Sequence, residues 1–282
     1  MLISIASGKG GTGKTTLALL LAAVHPEITV VDSDVEEPNC HLFLKPKKKE
    51  DTNVTVLVPR IDKERCNGCA ACAEICFFNA IAVTNGQAMV FDELCHSCGG
   101  CMIKCPQGAI TEDRKVIGTI SYDDSTVISS IQLISGLLNI GVPSGVPLIK
   151  AITKVARSLV GDVIVDCPPG TSCSMVNAVK ESDFCILVTE PTPFGQHDLE
   201  LAMNITKLLK LSTGVVINKS DDGTGDAAIE TLCRNRQIPV LARIPYSFSF
   251  AREYSEGHIS DKYQAIAKDI WRQIQPAGSE EV

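Results

Sequence analysis

The chain has 282 residues, 45% of them apolar, with a formal net charge of −7. That length holds one large α/β domain, or one domain plus a small insert, around a substantial core. The acidic balance argues against a general nucleic-acid binder, no apolar run approaches the ~20 residues that cross a bilayer, and the N-terminus reads as strand rather than signal peptide, so a cytoplasmic protein is expected.

In chain order, an apolar strand (Leu2 to Ile5) leads into a glycine-rich turn and then a helical run (Leu17 to Ala23). The turn contains Gly8, Lys9, Gly10, Gly11, Thr12, Gly13, Lys14, Thr15 and Thr16. Gly8 to Thr15 fits G-x-x-x-x-G-K-[ST], in which backbone N–H groups close around phosphate oxygens, the lysine reaches the terminal phosphates and the hydroxyl coordinates Mg²⁺. Lys9, directly after the first glycine, adds a second cation. With that residue the chain resembles the deviant Walker A ATPases: MinD, ParA, Mrp and the nitrogenase iron protein. The resemblance implies ATP as ligand and a face-to-face dimer, of identical or related chains, in which Lys9 reaches the nucleotide of the other subunit.

A second strand, Ile28 to Asp32, ends in Asp32-Ser33-Asp34 and completes a βαβ unit with a crevice at its carboxyl end. In the resembling family the second acid, here Asp34, polarises the attacking water; the alternative is that Asp32 and Asp34 cap the next turn. The dense basic stretch Lys45-Pro46-Lys47-Lys48-Lys49 is followed at once by Glu50-Asp51 and reads as a solvated loop.

Residues 60–115 form a separate module, dividing an ATPase domain into 1–59 and 116–282. Cys66, Cys69, Cys72 and Cys76 are repeated twenty-nine residues later by Cys95, Cys98, Cys101 and Cys105. This is the bacterial two-cluster ferredoxin pattern, in which three closely spaced thiolates and one from the other run hold each 4Fe–4S cube. It assigns Cys66, Cys69, Cys72 and Cys105 to one cluster and Cys95, Cys98, Cys101 and Cys76 to the other. Zinc is the rival, but a third evenly spaced cysteine suits a cube better than a tetrahedron. Phe77 stands where the pattern after the fourth cysteine has proline, as Pro106 does in the second run.

Further on, a turn-rich loop (Asn139 to Gly145) precedes a helix candidate, Leu148 to Leu159. The strand from Asp162 to Asp166 closes on an acid in the Walker B manner, which directs Asp166 to the Mg²⁺ shell beside Thr15. Cys167-Pro168-Pro169-Gly170-Thr171 resembles the family's second switch. Cys173 is at the spacing of a nitrogenase iron-protein cluster ligand, yet it also reads as a small buried packing residue; Cys40, Cys167, Cys185 and Cys233 read as packing residues. The Mrp-type C-x-x-C near the end is missing.

After the strand Phe184 to Thr189, the segment Glu190 to Asp198 is similar to one at the family's dimer face. His197 and Asp198 there contact a partner, or are a helix cap and a solvated histidine. Asn218-Lys219-Ser220-Asp221 is N-K-x-D, which reads guanine in GTPases; the resembling family uses the asparagine for adenine, so Asn218 is assigned to ATP. Val240 to Ile244 reads as the last strand. The final helix, Asp261 to Ile274, carries Ile266, Ile270 and Ile274 on one face, and the end is acidic, Ser279-Glu280-Glu281-Val282, unlike the basic membrane tail of MinD.

The expected architecture is a mostly parallel, doubly wound α/β sheet of the P-loop NTPase kind carrying a ferredoxin insert. The resemblance implies an ATPase whose nucleotide state controls electron delivery to a metal-cofactor or cluster-carrying protein, as in ATPases associated with nitrogenase cofactors and the orange protein. Two other readings are a carrier releasing a transferable cluster and a redox-sensing positioning ATPase.

Overall fold

The computed structural model describes residues 1–25, 27–126, 131–255 and 261–275; the acidic end read above lies outside them. In chain order the elements are β1 (Leu2–Ala6), α1 (Lys14–Ala23), β2 (Thr29–Asp32), α2 (Cys40–Leu44), β3 (Lys47–Ile61), α3 (Ala71–Ile75), β4 (Ile81–Thr84) and β5 (Gln87–Val90). They continue with α4 (Gly100–Lys104), β6 (Ile110–Asp124), β7 (Gln132–Leu138), α5 (Val146–Ser158), β8 (Val163–Asp166), α6 (Cys173–Val179) and β9 (Phe184–Thr189). The last are α7 (Pro193–Leu208), β10 (Ser212–Ser220), α8 (Thr224–Arg236), β11 (Val240–Pro245), α9 (Phe248–Ser255) and α10 (Asp261–Ile274).

Among these, a nine-stranded sheet runs in the order β11-β10-β9-β1-β8-β2-β7-β6-β3. From β11 to β7 all neighbours are parallel; β6 and then β3 are added antiparallel. Helices cover both faces, so the central strands are apolar on both sides, as parallel sheets require. On one face α1 and α10 pack over Ile3, Ile5, Val30 and Ile164. Trp271 is buried there and donates its indole N–H to the Leu21 carbonyl at 2.9 Å. On the other face α5, α6, α7 and α8 pack over Leu2, Val31, Val165 and Leu187. Each fully buried aliphatic side chain contributes about 1.5–3 kcal/mol, so this double layer is the stable body of the molecule. No helix among the described residues is long and apolar enough to cross a membrane.

The strands β3 and β6 pair along their whole length, from Lys47 opposite Asp124 to Ile61 opposite Ile110. Only the stretch Gly118–Asp124 of β6 also pairs with β7, Gly118 lying opposite Leu138 at that strand's carboxyl end. The rest of the ribbon therefore runs past the sheet on the side where β1, β2 and β8 end, and carries residues 62–109 there. The boundaries taken at 59/60 and 115/116 fall inside these strands. Lys47, Lys48 and Lys49, expected in a loop, instead open β3; they stay exposed, with Lys48 paired to Asp51 and Lys49 to Asp124. Alternating polar residues on an edge ribbon are stable as a strand once β6 supplies its hydrogen bonds.

Candidate functional site

The turn between β1 and α1 is shaped by its glycines. Gly13 adopts φ +94°, and a Cβ there would collide with the side-chain amide of Asn218, so only glycine fits. Gly8 passes so close to the Asp198 carbonyl in α7 that it too has no room for a side chain. Lys14 is buried at the start of α1, and the Thr12 hydroxyl is buried without a hydrogen-bond partner among the described residues. A loop of amides with an unpaired hydroxyl and a buried lysine suits an anion of several oxygens. Asn218, assigned to the base from the sequence, here braces this loop: its amide donates to the Thr12 carbonyl at 2.7 Å and its Oδ1 accepts from Lys219 N–H at 2.9 Å.

Three carboxylates converge beneath the loop from the ends of β2 and β8. Thr15 Oγ1 donates to Asp166 Oδ2 at 2.5 Å, while Asp166 Oδ1 is buried and unpaired among the described residues. Asp32 is fully buried and accepts from the backbone N–H of Asn39 (2.8 Å), Cys40 (3.0 Å) and Asp34 (3.2 Å). It is therefore the cap of the turn leading into α2, one of its two sequence readings. Burial and the nearby Asp32 charge push Asp166 up to about 7, against the opposing pull of Thr15 and Lys14. Burial, then Asp32, raises Asp34 to about 6, with Lys14 again opposing. Crowded acids of this kind are a seat for a hard divalent cation, which would relieve the repulsion. Thr15 and Asp166 are the residues present to hold Mg²⁺. Sequence reading missed Cys40 here: its thiol is fully buried and lies 3.7 Å from Asp166 Oδ2.

It also missed Glu190. This residue directly follows β9, the neighbour of β1, and takes Lys9 Nζ on one oxygen at 3.0 Å and Lys219 Nζ on the other. Lys219 Nζ reaches the Gly11 carbonyl as well, at 3.1 Å. These two cations hold the Glu190 carboxyl below its ordinary range despite burial, which opposes them. The available signal was its position at the carboxyl end of a central strand. His197 and Asp198 lie inside α7, where His197 is exposed; the cap of that helix is Thr192, whose hydroxyl accepts from Gly195 N–H at 3.0 Å.

At the far end of the ribbon the repeat of twenty-nine residues is a repeat of backbone. Gly68 and Ser97, Ala70 and Gly99, and Asn79 and Gly108 all take positive φ, and α4 follows α3 at the same interval. The thiols gather across the two runs. One pocket is lined by Cys66, Cys69, Cys72 and Cys105, beside Val83, Ala88 and Ile110. A second is lined by Cys76, Cys95, Cys98 and Cys101, beside Ala80 and Ile81. Burial raises the Cys72 and Cys101 thiols, and neighbouring cysteines of the same pocket add to this. Such soft donor sets, four to a pocket in an apolar surround, suit iron–sulfur cubes that bind the thiolate form. Phe77 projects into solvent at 90% exposure, whereas Phe78 stacks on His96 with ring centres 3.7 Å apart.

Cys173 corrects one sequence reading: it is exposed, not packed. It is the first residue of α6, and the preceding Pro-Pro-Gly turn, with Pro168 buried and Pro169 exposed, lies beside the phosphate loop, Gly170 N–H bonding to the Ser7 carbonyl at 3.1 Å. Cys40, Cys167, Cys185 and Cys233 are all buried, as packing residues should be.

Known proteins carry the same outline. The uncharacterized protein MJ0579 of Methanocaldococcus jannaschii is 28% identical over 96% of this chain and 95% of its own. An iron-sulfur cluster carrier protein of Pyrococcus horikoshii is 23% identical over 90% and 76%, and an uncharacterized ferredoxin, MJ0722, of M. jannaschii is 37% identical over 54 residues, 18% of this chain and 70% of its own. Among solved structures, the septum site-determining protein MinD with Mg-ADP from P. horikoshii superposes with a TM-score of 0.57, covering 98% and 97% of the two chains at 20% identity, and so shares the fold. The CobQ/CobB/MinD/ParA nucleotide binding domain matches residues 3–260. With the phosphate loop, the paired acids and the parallel sheet in place, the chain belongs to this family and is a P-loop ATPase of the MinD/ParA type.

Proposed function

We propose that this chain is a Mg²⁺-dependent ATPase that works as a dimer, holds two 4Fe–4S clusters, and uses its nucleotide state to gate electron delivery to a protein whose metal cofactor is being assembled. The observation that carries this reading is a shared wall. Cys95 and Cys98 of the second thiol set and Cys173, seven residues beyond Asp166, line one cavity. A change at the Walker B acid thus has a short covalent path to the edge of the cysteine module.

Lys14 and the loop amides would bind the β- and γ-phosphates, with Thr15 and Asp166 holding the cation, which supplies charge neutralisation when bound. Asp34, raised to about 6, is ionised at neutral pH yet basic enough to orient a water. The water oxygen bonds to the γ-phosphorus as the bridging P–O bond to the β-phosphate breaks, giving ADP and phosphate. In the single chain Lys9 is held by Glu190; closing the dimer would transfer it to the partner's nucleotide. Cysteines 66, 69, 72 and 105, and 76, 95, 98 and 101, would ligate the clusters, which supply one-electron carriers.

The test is the electron paramagnetic resonance spectrum of the dithionite-reduced, anaerobic protein with MgATP and with MgADP. A nucleotide-dependent change in the signal from the second cluster, absent in Lys14→Ala, supports the proposal. Identical spectra in all states would sink it.

A second reading, a carrier of a transferable cluster, is favoured by the exposure of Cys173 and by the relative named as a carrier. It requires more than about eight irons per reconstituted chain, with the surplus lost in Cys173→Ser.

A further inference from the structure

A cavity of about 430 Å³ lies where the ribbon, the loop of Cys95 to Cys98 and the start of α5 meet. Its volume is in the range of small-molecule sites, which commonly form at the junction of two structural units. Val56, Val58, Ile117, Val142 and Val146 give it an apolar body. Its charged groups are Lys115, Lys150 and Asp92. Asp92 is already neutralised, because both of its carboxylate oxygens accept from the Arg60 guanidinium, at 2.8 and 3.1 Å. Among the described residues Lys115 Nζ donates only to the Asp92 backbone carbonyl, at 3.1 Å, a neutral acceptor. Neither Lys115 nor Lys150 forms a salt bridge among the described residues; Lys150 also lines an adjoining recess, which it shares with Glu112. The first turn of α5, with Val146 and Pro147 in the wall, presents the positive end of a thirteen-residue helix. Apolar walls carrying two lysines that form no salt bridge among the described residues match one ligand chemistry: an organic anion with a hydrocarbon body.

We propose that this cavity binds a small organic acid, its carboxylate between Lys115 and Lys150 and its apolar part against the ribbon. The bound acid would adjoin Cys95 and Cys98, and would cover Cys173. The test is run without nucleotide, so the proposal can fail while the ATPase reading stands, and the reverse.

The experiment measures alkylation of Cys173 by iodoacetamide, read at that residue by peptide mass spectrometry on the iron-loaded chain. The probes are 3-phenylpropionate and its neutral amide, 3-phenylpropanamide. The acid should protect Cys173 saturably, at a concentration about 10-fold below that needed by the amide, the difference expected for a charge-assisted pair. In Lys115→Gln/Lys150→Gln the acid should lose that advantage. Lys150 is exposed and Lys115 half-buried, and an unchanged melting temperature of the double variant verifies the fold. Equal protection by acid and amide, no protection by either, or an advantage that survives the double substitution would each overturn the proposal.

Discussion

The nucleotide crevice and the cysteine module gather their side chains by opposite means. In the crevice the contributing residues come from the ends of β1, β2, β8, β9 and β10, and a double-sided core fixes them before any ligand arrives. In the module the donors sit within residues 66–105, and the buried apolar cluster beneath them is small: Cys72, Ile81, Ala88 and Ile110. Segments of this size need staples, and here cysteines make up part of the apolar cluster itself. The ATPase half is thus preorganised for its ligand, whereas the module is expected to depend on its metal for structure.

The largest effects should appear in the preorganised half. Asp34→Ala should keep nucleotide affinity and lower hydrolysis by about 1,000-fold, as loss of a water-orienting base does. Lys14→Ala should weaken ATP binding by about 100-fold, the loss of charge-assisted hydrogen bonds to phosphate. Normal turnover in either variant would break the assignment of the crevice.

Stripping the iron should sharpen the contrast directly. Limited proteolysis of chelator-treated protein is expected to cut within residues 62–109 while the sheet retains its far-ultraviolet circular dichroism. Loss of both halves together would mean that the module is not the metal-dependent one. Within it, Cys76→Ser should reduce iron from about eight to about four per chain, and spare the cluster on Cys66, Cys69, Cys72 and Cys105; the opposite pattern would uncross the two sets.

A smaller effect belongs to pH. In the nucleotide-free chain Asp166 is raised to about 7 and Asp34 to about 6, so both hold protons where the unfolded chain, near 3.8, has lost them. Their contribution to stability is complete below pH 3.8 and is lost as pH rises through 6 and then 7. Between pH 5.5 and 8 the metal-free protein should therefore lose on the order of 2 kcal/mol through Asp166, and Asp166→Asn should flatten that slope in thermal melts. The smallest change is expected from Glu190→Gln, which frees Lys9 from a partly exposed ion pair. ATP-dependent self-association should then reach its midpoint at about 3-fold lower protein concentration by light scattering, since such pairs contribute up to about 1 kcal/mol.

The glycine loop, the βαβ unit around it and the two cysteine runs were legible from residue order alone, because each is a local device. Backbone amides of one turn can cradle a phosphate, and thiols with two residues between them can reach corners of one cube. Tertiary structure decided what joins them. Lys9 and Glu190 are separated by 181 positions, and Cys40 and Asp166 by 126, so their contact depends on which strands lie side by side. The exposure of Cys173 and its place beside Cys95 depend on where an antiparallel ribbon leaves the sheet. No periodicity in the chain encodes that direction; it follows from β6 pairing with β7 only at its base, so that the remaining length extends over the nucleotide side.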